Sequence, residues 1–358
     1  SPTTLVLAFG ASGYADDPGV FAELRAAFPQ SVLAGCSTSG EVLGMQVQDD
    51  SIAVAVVRFE HTQIRQVHTP VTGPEDSGAA GTRLAAQLPP AGLRAVFVLS
   101  DGLRVNGTAL AAALTAGLPP AVSVTGGLAG DGSAFQRTWV LVDDRPQTHR
   151  VCAIGLYGER LHVGSGCQGG WLDFGPLRRI TRSAGTVLHE LDGKPALDLY
   201  REYLGELATG LPGAALLFPL SIREPGRPGA ALVRSVLAID EAARSLTFAG
   251  DMPEGFQAQL MRTSNDRLID SASLAIAQAV HGLPAACGPA LVVSVSCVGR
   301  RLVLGERTEE EAESLAEGAP AQSVHVGFYS YGEIAPGAEG GACSLHNQTM
   351  TVTVFAEA

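Results

Sequence analysis

Lysine is almost missing from this chain. Lys194 is the only one, and the 24 basic residues face 36 Asp and Glu, for a formal charge of −12. No cluster of Lys and Arg interrupts that acidic balance, which excludes a phosphate-binding surface for nucleic acid and an electrostatic membrane surface. No long unbroken apolar run is present either. The uncharged stretch from Gly282 to Gly299 is broken by Pro284, Gly288 and Pro289, and reads as a loop followed by a buried strand, not a membrane span. Cysteine is sparse and scattered. The six, at 36, 152, 167, 287, 297 and 343, form no Cys-x-x-Cys pair and no zinc-ligand spacing. They read as reduced thiols of a cytoplasmic protein. The first residues carry neither a basic start nor an apolar signal core. Ser-x-x-Lys and Gly-x-Ser-x-Gly nucleophile motifs are absent too.

What remains is an ordered globular composition, 46% hydrophobic and 17% charged, long enough for two domains. Its most informative feature is a phrase written three times. Gly35-Cys36-Ser37-Thr38-Ser39-Gly40-Glu41 is the first copy and Gly327-Phe328-Tyr329-Ser330-Tyr331-Gly332-Glu333 the last. A shorter middle copy is Gly126-Gly127-Leu128-Ala129-Gly130-Asp131. Each follows a strand-like run that is itself preceded by a strand and a helical segment. The helical segments are Pro18–Phe28, Gly107–Ala116 and Thr308–Ala316. Repetition on this scale points to duplication.

The middle of the chain differs. Pro195–Leu204 and Leu268–Val280 have helical spacing, while Ala214–Ile222, Leu232–Ile239, Ser245–Phe248 and Gln257–Arg262 read as strands. A boundary is expected near Gly169–Gly175. The fold class is therefore α/β: two domains with mixed sheets, built from repeated strand–helix–strand–hairpin units in a layered sandwich, with doubly wound sheets as the alternative.

These motifs resemble the FIST family of bacterial sensory modules. Gly35–Glu41, Leu99-Ser100-Asp101-Gly102-Leu103 and Gly126–Asp131 match its N-terminal part. Asp192-Gly193-Lys194-Pro195-Ala196, Ser296-Cys297-Val298-Gly299-Arg300, Gly327–Ile334 and Leu345-His346-Asn347-Gln348-Thr349-Met350 match its C-terminal part. The resemblance implies an N-terminal domain over 1–172 and a C-terminal domain over 173–358. It also implies signal input through a small ligand such as an amino acid. The implied partner is a separate histidine kinase of a two-component system, a cyclic-dinucleotide enzyme or a chemoreceptor. Some members resemble haem-binding nitric-oxide sensors.

The glycine turns carry the candidate site. Glycines free backbone N–H groups for a ligand. Glu41, Asp131 or Glu333 could hold an ammonium group, and Ser37, Thr38, Tyr329 and Tyr331 add hydroxyls. Arg300 could clamp a carboxylate. Cys36, Asp101, Gly127, His346 and Asn347 complete the expected ligand-binding set. The same acids could instead cap helices or brace turns. No metal site or catalytic residue is expected. For the haem alternative, His189 or His346 would be the axial ligand. A third reading, a hydrolase or acyltransferase using Cys36 or Cys297, lacks a nearby histidine to activate the thiol.

Overall fold

The computed structural model describes residues 2–211, 213–226, 231–284, 288–337 and 342–358. The repeated phrase marks a repeated unit. Unit one runs β1 (Thr4–Gly10), α1 (Gly19–Ala27), β2 (Val32–Ser37), the hairpin β3 (Glu41–Leu43) and β4 (Gln46–Gln48), then β5 (Ile52–Arg58). Unit two opens with an extra strand and helix, β6 (Gln63–Pro70) and α2 (Ser77–Gln87). It continues with β7 (Leu93–Ser100), α3 (Gly107–Ala116), β8 (Ser123–Leu128), the hairpin β9 (Val140–Val142) and β10 (Arg145–Gln147), and β11 (Arg150–Tyr157).

Unit three opens with β12 (Leu161–Gln168) and is then interrupted by a separate module. That module holds β13 (Leu172–Ala184), β14 (Val187–Leu191), β15 (Lys194–Pro195), α4 (Ala196–Leu204) and β16 (Leu220–Arg223). It ends with β17 (Leu232–Arg234), β18 (Val236–Asp240), β19 (Ser245–Phe248) and β20 (Gln257–Arg262). The unit resumes with α5 (Asn265–His281), β21 (Leu291–Cys297), α6 (Val298–Leu304), α7 (Thr308–Gly318) and β22 (Val324–Ser330). The hairpin β23 (Gly332–Pro336) and β24 (Cys343–His346) and the strand β25 (Met350–Glu357) close it.

Each unit builds one sheet around a parallel pair, and the three sheets exchange hairpins in a closed cycle. The orders are β10-β9-β2-β1-β5, β24-β23-β8-β7-β11-β6 and β4-β3-β22-β21-β25-β12. The hairpin of unit one thus extends the sheet of unit three, that of unit two extends unit one, and that of unit three extends unit two. The inner faces of all three sheets meet in a single core. Phe9, Phe97 and Phe328 lie in it, with Ile154, Val293 and Phe355. Helices cover the outer faces: α1 on the first sheet, α2 and α3 on the second, α5 and α7 on the third. This is a layered α/β fold with mixed sheets, not a doubly wound one.

The inserted module starts at Leu172. Two of the three core sheets take strands from both sides of it. The module has its own core around Ile180, Tyr200 and Phe248. It docks through buried polar contacts: Arg234 Nη1 donates to the Leu345 carbonyl (3.2 Å) and Gln348 Nε2 to the Leu216 carbonyl (3.1 Å). One expected strand is corrected. Residues Gly213–Leu217 form a 3-10 turn, and the strand begins only at Leu220. Ala214-Ala215-Leu216-Leu217 has no β-branched residue, and Pro219 cannot donate to a ladder. Among the described residues no helix is long and apolar enough to cross a membrane.

Candidate functional site

The three phrases converge, and they do so by bonding to one another. Ser39 N–H donates to the Tyr329 carbonyl (2.8 Å), Tyr331 N–H to the Leu128 carbonyl (3.1 Å) and Gly130 N–H to the Ser37 carbonyl (3.0 Å). These are equivalent positions in the three copies, so the bonds form a closed ring where the parallel strands end. The first glycine of each copy is required by close packing. A Cβ on Gly35 would lie 1.8 Å from the Ala8 carbonyl oxygen, one on Gly126 1.9 Å from that of Val98, and one on Gly327 2.4 Å from that of Ser294.

Two of the three acids of the phrases, Glu41 and Glu333, are buried, and Asp131 is half-buried. Glu41 accepts from the Thr38 hydroxyl, from Ser51 N–H (3.2 Å) and from Ser51 Oγ (2.8 Å). Burial raises its pKa despite these hydroxyl donors. Glu333 repeats the arrangement, accepting from Ser330 Oγ (2.8 Å), Thr349 N–H (3.2 Å) and Thr349 Oγ1 (2.8 Å). Its complete burial pushes its pKa up to about 8. Asp131 accepts from the N–H groups of Phe135 (2.9 Å), Gln136 (2.7 Å) and Arg137 (2.8 Å), and from the Tyr331 hydroxyl. Asp101 likewise accepts from the N–H groups of Leu103 (2.9 Å), Arg104 (2.7 Å) and His149 (3.1 Å). All four braces hold turns.

Arg300 is fully buried against Glu311. Its Nε donates to Oε1 (2.9 Å) and its Nη2 to the same oxygen, while Nη1 donates to the Gly169 carbonyl (2.7 Å) and Nη2 also reaches the Leu268 carbonyl (2.9 Å) and Ser271 Oγ (3.2 Å). The other Glu311 oxygen accepts from Ser296 Oγ (2.9 Å) and the Tyr329 hydroxyl (2.8 Å). Ser37 Oγ accepts from Trp139 N–H (3.0 Å), Cys36 sits in the central core, and Gly127 packs on Val295. Asn347 is fully buried, with no partner for either side-chain polar atom among the described residues.

Open space lies beyond the ring, between the core and the inserted module. A cavity of about 1030 Å³ has a floor of Leu103, Leu128, Phe135, Val298, Leu302 and Tyr331. Its roof comes from the module: Thr186, Leu216, Ser235, Val236, Phe248 and Ala249. The lining is mostly apolar, with a few polar groups placed on it, the composition that suits a small-molecule site. Ser235 Oγ is buried there without a partner among the described residues. Of the expected site residues only Tyr331 lines this cavity. Its ring stacks on Phe135, with centroids 4.7 Å apart and planes at 12°.

A smaller cavity of about 550 Å³ adjoins the first and shares Gly132, Ser133, Val298 and Leu302 with it. Here Arg301 is the cation, one residue from the expected Arg300. It pairs with Asp49 (2.6 Å), donates to the Ser39 carbonyl (2.7 Å) and lies over the Tyr329 ring, 5.5 Å from its centroid. Gly40, at φ +131°, leaves the room: a Cβ there would sit 2.5 Å from Arg301 Nη1. Sequence reasoning missed Arg301 because both arginines follow the same strand. The helical turn of α6 buries Arg300 and leaves Arg301 facing the cavity.

The residues do not fit haem. Neither His189 nor His346 lines either cavity. His346 is buried, its Nε2 lies 3.0 Å from the Ala335 carbonyl oxygen, and burial lowers its pKa to about 4. The thiol reading is no better supported. Cys297 does line the large cavity, but burial drives its pKa far up, and no histidine is among the lining residues.

The architecture is that of a three-unit α/β core whose strand ends face a cavity under an inserted module. The chain belongs to the FIST family, a family of sensory signalling domains: the FIST N domain matches residues 4–194 and the FIST C domain residues 196–336. No curated protein matches the sequence. Two cyanuric acid hydrolase structures align with most of this chain at low similarity. A cyanuric acid hydrolase is 12% identical over 84% of this chain and 68% of its own, with a TM-score of 0.25. A cyanuric acid hydrolase from A. caulinodans is 12% identical over 83% and 68%, with a TM-score of 0.24. Likenesses this low carry no argument about fold or activity.

Proposed function

We propose that this protein senses a small molecule held in the large cavity between the core and the inserted module. The carrying observation is that the two parts supply opposite walls of one mostly apolar space of about 1030 Å³. A ligand there touches both, so binding favours one placement of the module on the core, and that placement is the signal. A ligand can shift such an equilibrium only through its different affinity for the two placements.

The lining favours a ligand with an apolar body and a few hydrogen-bonding groups. An amino acid with a large apolar side chain is the member of the amino-acid class that suits it. Its body would lie against Phe135, Tyr331 and Phe248. Its charged end would lie in the adjoining cavity and open the Arg301–Asp49 pair, its carboxylate taking Arg301 and its ammonium group Asp49. The output goes to a separate signalling protein such as a histidine kinase.

A thermal-shift screen of apolar and polar amino acids and related amphipathic metabolites tests this reading. A specific ligand at about 100 times its Kd stabilises the folded state by about 2.7 kcal/mol. Stabilisation by apolar members that disappears in Ala249→Trp and Ala214→Trp, whose indoles occupy the space, is the expected result. A panel with no stabiliser, or one that stabilises both variants as well as the wild type, refutes it.

A further inference from the structure

Units two and three share a part that unit one lacks, and its absence leaves a sheet edge open. In units two and three the fifth strand is covered at its outer edge by a further antiparallel strand, β6 on β11 and β12 on β25. In each of these units a helix then lies over the outer face of the fifth strand before the chain enters its first parallel strand. Helix α2 packs Ala80 and Leu84 with Val151 and Ala153 of β11. Helix α5 packs Ala275 and Ile276 with Val352 and Val354 of β25. Unit one has neither: among the described residues β5 ends its sheet, and its outer face meets only the cluster of α1, on which Ile52 and Val54 pack in part.

The pairing registers identify the corresponding residues. Ile52 of β5 lies opposite Gly10, as Val151 lies opposite Ser100 and Met350 opposite Ser296. Ile52, Val54 and Val56 therefore occupy the places of Met350, Val352 and Val354. The equivalents in β25 are at most 2% exposed, whereas Val56 is 40% exposed and Ile52 and Val54 are only half-buried. The edge reads Ile-Ala-Val-Ala-Val-Val before its first charge at Arg58. An uncharged apolar edge of this kind is a template for strand pairing.

We propose that the β5 edge is a docking site for a strand–helix segment from outside residues 1–358. Its strand pairs antiparallel with β5, as β6 pairs with β11. Its helix, presenting small apolar residues like those of α2 and α5, then covers Ile52, Val54 and Val56. The two complete units define the chemistry and direction of the occupant. The site lies on unit one and does not depend on the ligand cavity.

The test is hydrogen exchange on the whole chain with a probe that copies β6 and α2, residues 63–92. The probe is used as a free peptide and, separately, joined ahead of Pro2. The expected result is slowed exchange across Ile52–Arg58 with no change in β11 or β25, abolished by the outward-facing substitutions Val54→Lys and Val56→Glu. If the joined segment leaves the β5 amides exchanging as fast as before, the proposal fails. It also fails if β5 is already protected in the probe-free protein in proportion to a dimer seen by mass, which would assign the edge to a second copy.

Discussion

The Glu311 carboxylate offers the sharpest energetic prediction. It is fully buried and accepts from Arg300, Ser296 and Tyr329, so it ties β21, α6, α7 and β22 together beneath the ring of turns. Glu311→Gln keeps the volume but removes the charge. Arg300 is then left buried without a counter-ion, and the new amide group points a donor at groups that themselves donate. Breaking a buried pair from one side costs about 3–5 kcal/mol. The double variant Arg300→Met with Glu311→Gln leaves no unpaired charge. Its remaining costs are the Gly169 carbonyl and the new amide donor at position 311, at about 1–3 kcal/mol for each orphaned group that water cannot reach, while the Leu268 carbonyl keeps the Ser271 hydroxyl. The double should therefore be far less destabilised than the sum of the two single variants. Urea unfolding followed by Trp139 fluorescence in a Trp171→Phe background measures this, since Trp139 is buried in the core. A Glu311→Gln protein within about 1 kcal/mol of wild type, or additive losses in the double, would refute the reasoning.

Three further outcomes follow from particular groups. Gly35→Ala places a methyl 1.8 Å from the Ala8 carbonyl and should cost more than the roughly 1–3 kcal/mol of ordinary overpacking. Gly13→Ala, with nothing within 4 Å, should be near neutral, and thermal melts of the two variants beside wild type check both. Glu333 holds its proton in the folded protein up to about pH 8, whereas its ordinary value is 4.5. Its contribution is thus fully present below pH 4.5 and lost as pH rises through 8, at no more than about 1.4 kcal/mol per pH unit. Glu333→Gln should flatten that part of the stability–pH curve, and an unchanged curve counts against the assignment. Asp101→Ala orphans three N–H groups, one of them from His149, and should lower stability by about 1–3 kcal/mol with faster exchange at residues 103, 104 and 149.

The repeat was legible in the sequence because its cause is local. Gly35, Gly126 and Gly327 sit where a parallel neighbour leaves no room for a Cβ, and each copy carries that demand at the same place. The family membership rests on the same residues. The hairpin exchange was not legible, because β3, β9 and β23 are short and pair with strands far away in sequence. Helix α2 escaped notice since Ser77–Gln87 buries alanine and glycine more than large apolar residues. For the site, polarity was a poor guide. Glu41, Asp101, Asp131, Glu333 and Arg300 all have polar partners within the protein. The cavity is walled mainly by apolar side chains such as Leu216, Val236 and Phe248, which look like ordinary core residues in the sequence.

The central claim, that the space between core and module is the ligand site, is tested most directly by calorimetric titration of a stabilising compound into wild type and Ala249→Trp. The account predicts one ligand per chain with a negative heat-capacity change, the mark of apolar burial, and no binding to the variant. Binding to Ala249→Trp with wild-type affinity would contradict it.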